Sequence, residues 1–158
     1  MALTVGVNSY ISVEDADAIL LDRLDVAAWV DASPEQKASA LITATALLER
    51  ETWIGQVVDP LQKLAWPRTN GAYFDVRLGQ SVNLSGTIPN RIVLATVELA
   101  YHLLNNDGLL DSGTSIKNVT IGPISIENII ASPQKSSAAS SLIAPLLRAG
   151  GRNWWRAN

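Results

Sequence analysis

Few side chains in this chain of 158 residues could carry chemistry. It has no cysteine and one histidine, His102, so a thiolate nucleophile, a Cys–His pair and a zinc site are excluded. His102 falls inside a predicted helix without a neighbour at metal-binding spacing, which indicates a helix-surface or hydrogen-bonded core histidine. No glycine-rich phosphate loop and no GxSxG elbow occurs. We therefore expect a non-enzyme, with no catalytic residue, no metal and no cofactor.

An acidic cluster near the N-terminus is explained without a metal. It consists of Glu14, Asp15, Asp17, Asp22 and Asp25. The cluster lacks the spacing of a calcium-binding loop. Acidic residues are favoured in the first turns of a helix and on a solvated helix face, and both preferences account for the pattern.

Cations and aromatic rings alternate in the middle of the chain, which is what a groove for stacking single-stranded nucleic acid needs. The net charge of −3 and the absence of a dense Lys/Arg run argue against nucleic-acid binding. Trp53 and Trp66 are better explained as core anchors. The candidates for a subunit interface or, alternatively, a nucleic-acid site are Trp66, Arg68, Tyr73, Phe74 and Arg77.

Charge is divided unevenly along the chain. Residues 1–59 carry a balance of −7, and residues 60–158 a balance of +4. Such a division suits a molecule whose two parts meet different surfaces, including a second copy of itself.

Helix signals define most of the elements that must position these residues. Ser12 and Ser33 are predicted N-caps, and Gln36 completes a capping box with Ser33. Apolar stripes at helical spacing follow both caps, the first of them Ala16, Ile19, Leu20 and Leu24, and another stripe follows Pro89. A short apolar helix is expected in "SSLIAPLLRAGG", residues 140–151, where the glycine pair at 150–151 ends it.

Strand signals are fewer. Alternating β-branched residues predict a hairpin over 116–127, divided at Gly122-Pro123. Prolines and glycines break residues 60–88 into short pieces, so we expect a long connection with at most one short strand, "AYFDVRL". The predicted fold class is therefore mainly α: a small helical bundle with one β-hairpin and an extended C-terminal segment.

Two units are expected along the chain. Residues 1–131 form the helical core, with the 60–88 connection and the 116–127 hairpin, and residues 132–158 form a linker, the short apolar helix and a docking tail. The N-terminus lacks the features of a signal peptide, and no apolar run is long enough for a membrane span. We expect synthesis in the cytosol and no membrane partner.

One order of short motifs resembles a known family. It runs "NSYISVEDADAIL", "ALITATALLER", "LAWPR", "IPNRIVLATVELAYHLL" and "IKNVTIGPISIE". The order is similar to that of small tailed-phage proteins described as DnaT-like single-stranded DNA-binding proteins, many of which resemble head–tail connectors (adaptors). The resemblance covers nearly the whole chain and stops before "GGRNWWRAN".

The resemblance implies a virion structural protein. Such connectors form a ring of twelve copies beneath the portal, extend the channel through which genomic double-stranded DNA passes without specific binding, and hold the tail or its stopper protein. The expected place is the neck of the virion, after assembly in the host cytoplasm. C-terminal segments of the family grip the portal, which implies docking by Leu142, Ile143, Leu146 and Leu147. Tryptophan and arginine dominate interface hot spots and the two glycines give a flexible joint, so we expect Arg152, Trp154, Trp155 and Arg156 to dock with them. The alternatives for the two tryptophans are packing on the protein's own core and base stacking.

Two hypotheses follow from the sequence. The leading one is the connector ring, and the alternative is a single-stranded DNA-binding module. The alternative predicts salt-sensitive oligonucleotide binding that is lost when Trp66 and Arg68 are replaced.

Overall fold

The structure, a computed structural model, describes residues 2–105, 115–121, 124–130 and 137–148. Its elements follow one another in the order α1 (Val13–Leu21), α2 (Ala27–Val30), α3 (Pro34–Leu48), β1 (Gln56–Val57), β2 (Arg68–Asp75), β3 (Gln80–Ser85), α4 (Asn90–Asn105), β4 (Ser115–Ile121), β5 (Ile124–Ile130) and α5 (Ser137–Ile143). A single 3₁₀ turn, Ala144–Leu146, continues α5.

The predicted helix starts are confirmed. The Ser12 hydroxyl accepts a hydrogen bond from the Asp15 backbone N–H at 3.1 Å and so caps α1. At α3 the Gln36 N–H donates to the Ser33 hydroxyl (3.3 Å), and the Ser33 N–H donates to Gln36 Oε1 (2.8 Å). These reciprocal bonds satisfy N–H groups that have no partner inside the helix.

The core is centred on α4, which packs against α3, α5, α2 and α1, and α1 also packs against α3. Its largest fully buried side chains include Leu20, Trp29, Leu41, Ile92 and Leu146. Trp29 is fully buried. Its indole N–H donates to Asp17 Oδ1 at 2.7 Å, and Lys37 Nζ reaches the same oxygen at 2.9 Å. Partial burial acts to raise the pKa of Asp17, but the hydrogen bonds from Lys37 and Trp29 and the charge of Lys37 together outweigh it and lower that pKa below its ordinary value.

Leu24 does not belong to the buried stripe that was predicted for α1. The helix ends at Leu21, three residues earlier, and Leu24 is 95% exposed. The turn that follows places Asp25 in the left-handed region (φ 58°), and the Tyr101 hydroxyl donates to its carbonyl at 2.5 Å. Helical periodicity therefore overestimated the length of α1, because the chain leaves the helix before the stripe is complete.

The connection expected over residues 60–88 is a sheet. Strands β1, β2 and β3 form a three-stranded antiparallel sheet in that order. The residues interpreted as breakers mark its edges: Pro67 precedes β2, Gly79 lies in the turn between β2 and β3, and Gly86 follows β3. A strand needs only about five residues. The segments between these prolines and glycines are therefore long enough for strands although they are too short for a sustained helix.

The predicted fold class, mainly α with one hairpin, is therefore wrong. The protein is a small mixed α/β domain in which a three-stranded antiparallel sheet accompanies the helices.

The second hairpin agrees with its sequence pattern. Strands β4 and β5 pair in antiparallel fashion, with Ile121 opposite Ile124 and Ser115 opposite Ile130. Residues 122–123, at which a turn was predicted, lie outside the described residues.

The apolar residues expected to dock on a partner pack inside this protein. Ile143 and Leu146 are buried, and Leu142 and Leu147 pack against the core. The Ile54 N–H donates to the Leu146 carbonyl at 3.1 Å. The remaining predicted docking residues, Arg152, Trp154, Trp155 and Arg156, lie outside the described residues.

Candidate nucleic-acid interface

The motif "LAWPR", residues 64–68, is a structural element between the helices and the sheet. Trp66 is only 2% exposed and meets Trp53 edge-on, with ring centroids 5.7 Å apart and an interplanar angle of 71°. This geometry is favourable for two buried rings. Both tryptophans are thus confirmed as core anchors, and Trp66 presents no face on which a base could stack.

Arg68 is also occupied by the protein itself. Its guanidinium donates to three backbone carbonyls: Nε to Ile54 at 2.7 Å, Nη2 to Gly55 at 2.8 Å and Nη1 to Ala65 at 3.1 Å. The rigid fork of an arginine suits such a set of bonds. Arg68 therefore fixes the 54–55 loop to residue 65, and its guanidinium is engaged by the protein's own backbone.

A buried network joins this motif to α3. The Tyr10 hydroxyl donates to Glu49 Oε1 and accepts from the Trp66 N–H at 3.3 Å, while Glu49 Oε2 accepts from the Ala65 N–H at 2.8 Å. Burial, followed by the bond to Glu49, raises the pKa of Tyr10 above its ordinary value. The network holds the start of β2 in a fixed position beneath the helices.

The two aromatic residues of β2 lie on opposite faces of the sheet. Tyr73 is opposite Val82 and packs against the core, whereas Phe74 is opposite Ser81 and is 54% exposed. We call the solvent side, which carries Ala72, Phe74, Ser81 and Asn83, the outer face. Of the three aromatic residues predicted at this site, Phe74 is the one that offers an open ring.

Arg77 lies in the turn between β2 and β3, three residues after Phe74, and is exposed. The turn is built by Asp75, whose Oδ1 accepts from the Arg77 N–H at 2.9 Å and whose carbonyl accepts from the Gly79 N–H at 2.8 Å. Asp75 itself is buried, and its Oδ1 lies 4.0 Å from Arg91 Nη2. The carboxylate that could repel an anion at this turn is thereby withdrawn from the surface.

Neutral amides surround the outer face. Gln56, Asn70 and Asn83 come from β1, β2 and β3 respectively, and all three are exposed. Sequence reasoning missed them. The one available signal was the Asn-Gly pair at 70–71, which favours a bulge or turn but was interpreted only as a break.

Charge separates the sheet from the helices that precede it. Residues 2–52 carry nine acidic and three basic side chains, a balance of −6, whereas residues 53–91 carry two acidic and four basic ones, a balance of +2. A polyanion is repelled by the first segment and tolerated by the second. The segment that contains the sheet therefore repels a polyanion less than the segment that precedes it.

Two further features of the described residues bear on function. No described helix has both the length and the apolar character that crossing a membrane requires. No group of three acidic or histidine side chains in the described ranges is placed to hold a metal ion.

The fold and the outer face together describe a small mixed α/β domain whose antiparallel sheet exposes an aromatic ring among neutral polar groups. The chain matches the family described as "Putative DnaT-like ssDNA binding protein" over residues 2–157, and it belongs to that family. No curated protein and no solved structure matches it.

This match overturns the leading hypothesis drawn from the sequence. The family description names single-stranded DNA binding, and nothing in it supports a head–tail connector. The prediction that the chain functions as a head–tail connector is therefore wrong, and the single-stranded DNA-binding alternative is the better supported of the two. The predicted portal, tail and ring partners and the virion location are untested.

Proposed function

We propose that this protein binds single-stranded DNA on the outer face of its three-stranded sheet. In this proposal Phe74 stacks against a base, Arg77 contacts a phosphate, and the protein performs no catalysis. The observation that carries the proposal is the exposed ring of Phe74 on an antiparallel sheet, with a solvent-exposed arginine three residues away. The family description supports the same function.

Stacking on an aromatic side chain suits single strands because every base has an open π-face once it is unpaired. In a duplex that face is covered by neighbouring bases. The proposal therefore requires weaker binding to a double-stranded oligonucleotide of the same sequence. The acidic segment 2–52 keeps the strand on the sheet side of the molecule.

The test is fluorescence anisotropy with a labelled single-stranded oligonucleotide at several salt concentrations. We expect Phe74→Ala to weaken binding by about 1–3 kcal/mol, the value of one base stacked on an aromatic ring. Arg77→Ala should weaken binding and reduce the slope of log affinity against log salt by about 0.7, the contribution of one phosphate on a single strand.

Matched controls lie in the acidic segment. Leu24→Ala removes an exposed apolar side chain and Arg50→Ala removes an exposed cation, each outside the sheet. Both variants should bind as the unaltered protein does. Undetectable binding at low salt, or an equal loss in all four variants, would contradict the proposal.

Replacing Trp66 and Arg68 is not a suitable test. Both residues hold the fold together, so their loss would abolish binding whatever surface the DNA contacts. The experiment belongs at Phe74 and Arg77.

A further inference from the structure

The outer face carries an irregularity next to Phe74. Between Thr69, which pairs with Ser85, and Ala72, which pairs with Asn83, strand β2 contains one residue more than β3. The extra residue forms a β-bulge, and Asn70 within it has φ +54°. Bulges redirect side chains, and a residue other than glycine in the left-handed region is frequent at functional sites.

The bulge brings together amides from all three strands. Asn70 Nδ2 lies 3.4 Å from Gln56 Oε1 on β1. Asn70 and Asn83 also line one shallow open depression, together with Thr69, Gly71 and Leu84. No charged side chain lines it among the described residues.

The chemistry of this depression differs from that of a phosphate site. A phosphate is bound by cations or by N–H donors alone, and this depression is lined by no cation. A carboxamide presents a donor and an acceptor side by side. That pair matches the edge of a nucleobase, and the bidentate partner of an asparagine amide is adenine, through N6 and N7.

The position relative to Phe74 fits a neighbouring nucleotide. Asn83 is opposite Ala72, while Phe74 is opposite Ser81, so Asn83 and Phe74 are diagonal neighbours on the same face. Such neighbours are separated by about 7–8 Å. The amide thus lies beside the stacked base, where the next base of a splayed single strand would present its edge.

We propose that Asn70 and Asn83 form a base-reading site that hydrogen-bonds the edge of the base next to the one stacked on Phe74, and that this site prefers adenine. The inference rests on the proposed function, because it needs the strand to lie on the outer face. It adds a sequence preference to a mode of binding that stacking alone would leave insensitive to sequence.

The experiment compares deoxyadenosine and deoxythymidine homo-oligomers of equal length, bound to the full chain and to the double variant Asn70→Gly, Asn83→Ser. Glycine keeps the positive φ at position 70 while removing the amide. Serine already stands at positions 81 and 85 of β3, so it suits position 83. The thermal midpoint of each variant shows that it is folded, and Asn83→Ser alone is the test if the double variant is not.

The expected result is a loss of about tenfold in affinity for the deoxyadenosine oligomer, with a change of less than about twofold for the deoxythymidine oligomer. Self-stacking of the free oligomer is the same for every variant. A change in the ratio of the deoxyadenosine affinity to the deoxythymidine affinity therefore measures the contribution of the two amides. Ser81→Ala, on the same face, should leave that ratio unchanged.

Equal losses for both oligomers, or no loss for either, would overturn the base-reading site while leaving Phe74-dependent binding in place. Failure of the proposed function is distinct, because the unaltered protein would then bind neither oligomer.

Discussion

Residues 64–68 and residues 74–77 contain the same chemical types, an aromatic ring followed closely by an arginine, and the fold uses them in opposite ways. In the first segment Trp66 is buried against Trp53, and the Arg68 guanidinium donates hydrogen bonds to backbone carbonyls. In the second segment Phe74 is open to solvent, and Arg77 stands exposed in a turn.

This difference shows that the most recognisable motif of the sequence is a structural element of the fold. "LAWPR" is distinctive because its residues must satisfy several structural partners at once, namely Glu49, Tyr10 and the 54–55 loop. Phe74 must satisfy only the strand alternation of β2, and Arg77 only an exposed position in the turn, and both constrain residue type weakly. A distinctive motif can therefore reflect the requirements of folding rather than those of binding.

The largest effect should come from Trp66→Ala. Removing a fully buried tryptophan costs about 3–5 kcal/mol of unfolding free energy, and here it also leaves the Trp53 ring without its partner. Denaturant unfolding followed by circular dichroism measures the loss. A loss below about 1 kcal/mol would show that the two segments differ less than their burial indicates.

Arg68→Lys should have the next largest effect. A lysine ammonium cannot reach three carbonyls in the fork geometry of a guanidinium, so bonds to Ile54 and Gly55 are lost. We expect a destabilisation of about 2 kcal/mol in the same unfolding measurement. The matched control, Arg50→Lys at an exposed position, should be neutral, and equal effects of the two substitutions would contradict the structural role of Arg68.

Helix starts were the most predictable part of the fold. The starts of α1 and α3 were predicted from Ser12, Ser33 and Gln36. A cap is a local interaction between residues three positions apart, so the sequence alone shows it. Part of β2 was predicted as the short strand "AYFDVRL", but β3 and the pairing of the strands into a sheet were missed. Strand pairing is non-local, and the boundary residues Pro67 and Gly79 disfavour a helix without indicating a sheet.

The candidate site was predictable in residue type but not in orientation. Tyr73 and Phe74 were both named as candidates, yet adjacent residues of a strand point to opposite faces, and a shift of one residue in register exchanges them. Only the pairing of Tyr73 with Val82 and of Phe74 with Ser81 decides which ring is open. The amides of Asn70 and Asn83 come together through a bulge, which no local pattern fixed.

The Tyr10 network gives the stability of the first segment a dependence on pH. Burial and the bond to Glu49 raise the pKa of Tyr10 above its ordinary value of 10.0, so the folded state keeps the proton after the unfolded state begins to lose it. The contribution of Tyr10 to stability is therefore complete below pH 10 and falls as the pH rises above it.

We expect that fall to have a slope of about 1.4 kcal/mol per pH unit from this group. Tyr10→Phe should remove it, so the unfolding free energies of the variant and the unaltered protein should converge above pH 10. Unfolding midpoints at pH 8 to 11 test this. Tyr73→Phe is the control for the other titrating groups, and parallel curves for all three proteins would contradict the role given to Tyr10.

The smallest change in stability should come from Phe74→Leu, and this variant makes the comparison sharpest. Leucine retains an apolar side chain of similar reach on a half-exposed position, so the unfolding free energy should change by less than about 0.5 kcal/mol. It removes the aromatic face, so single-strand affinity should still fall as for Phe74→Ala. Phe74→Trp should bind at least as well as the unaltered protein because the stacking surface is kept. A leucine variant that binds normally would mean that the exposed ring acts as an apolar contact rather than a stacking platform, and the distinction between the two segments would then rest on Arg77 alone.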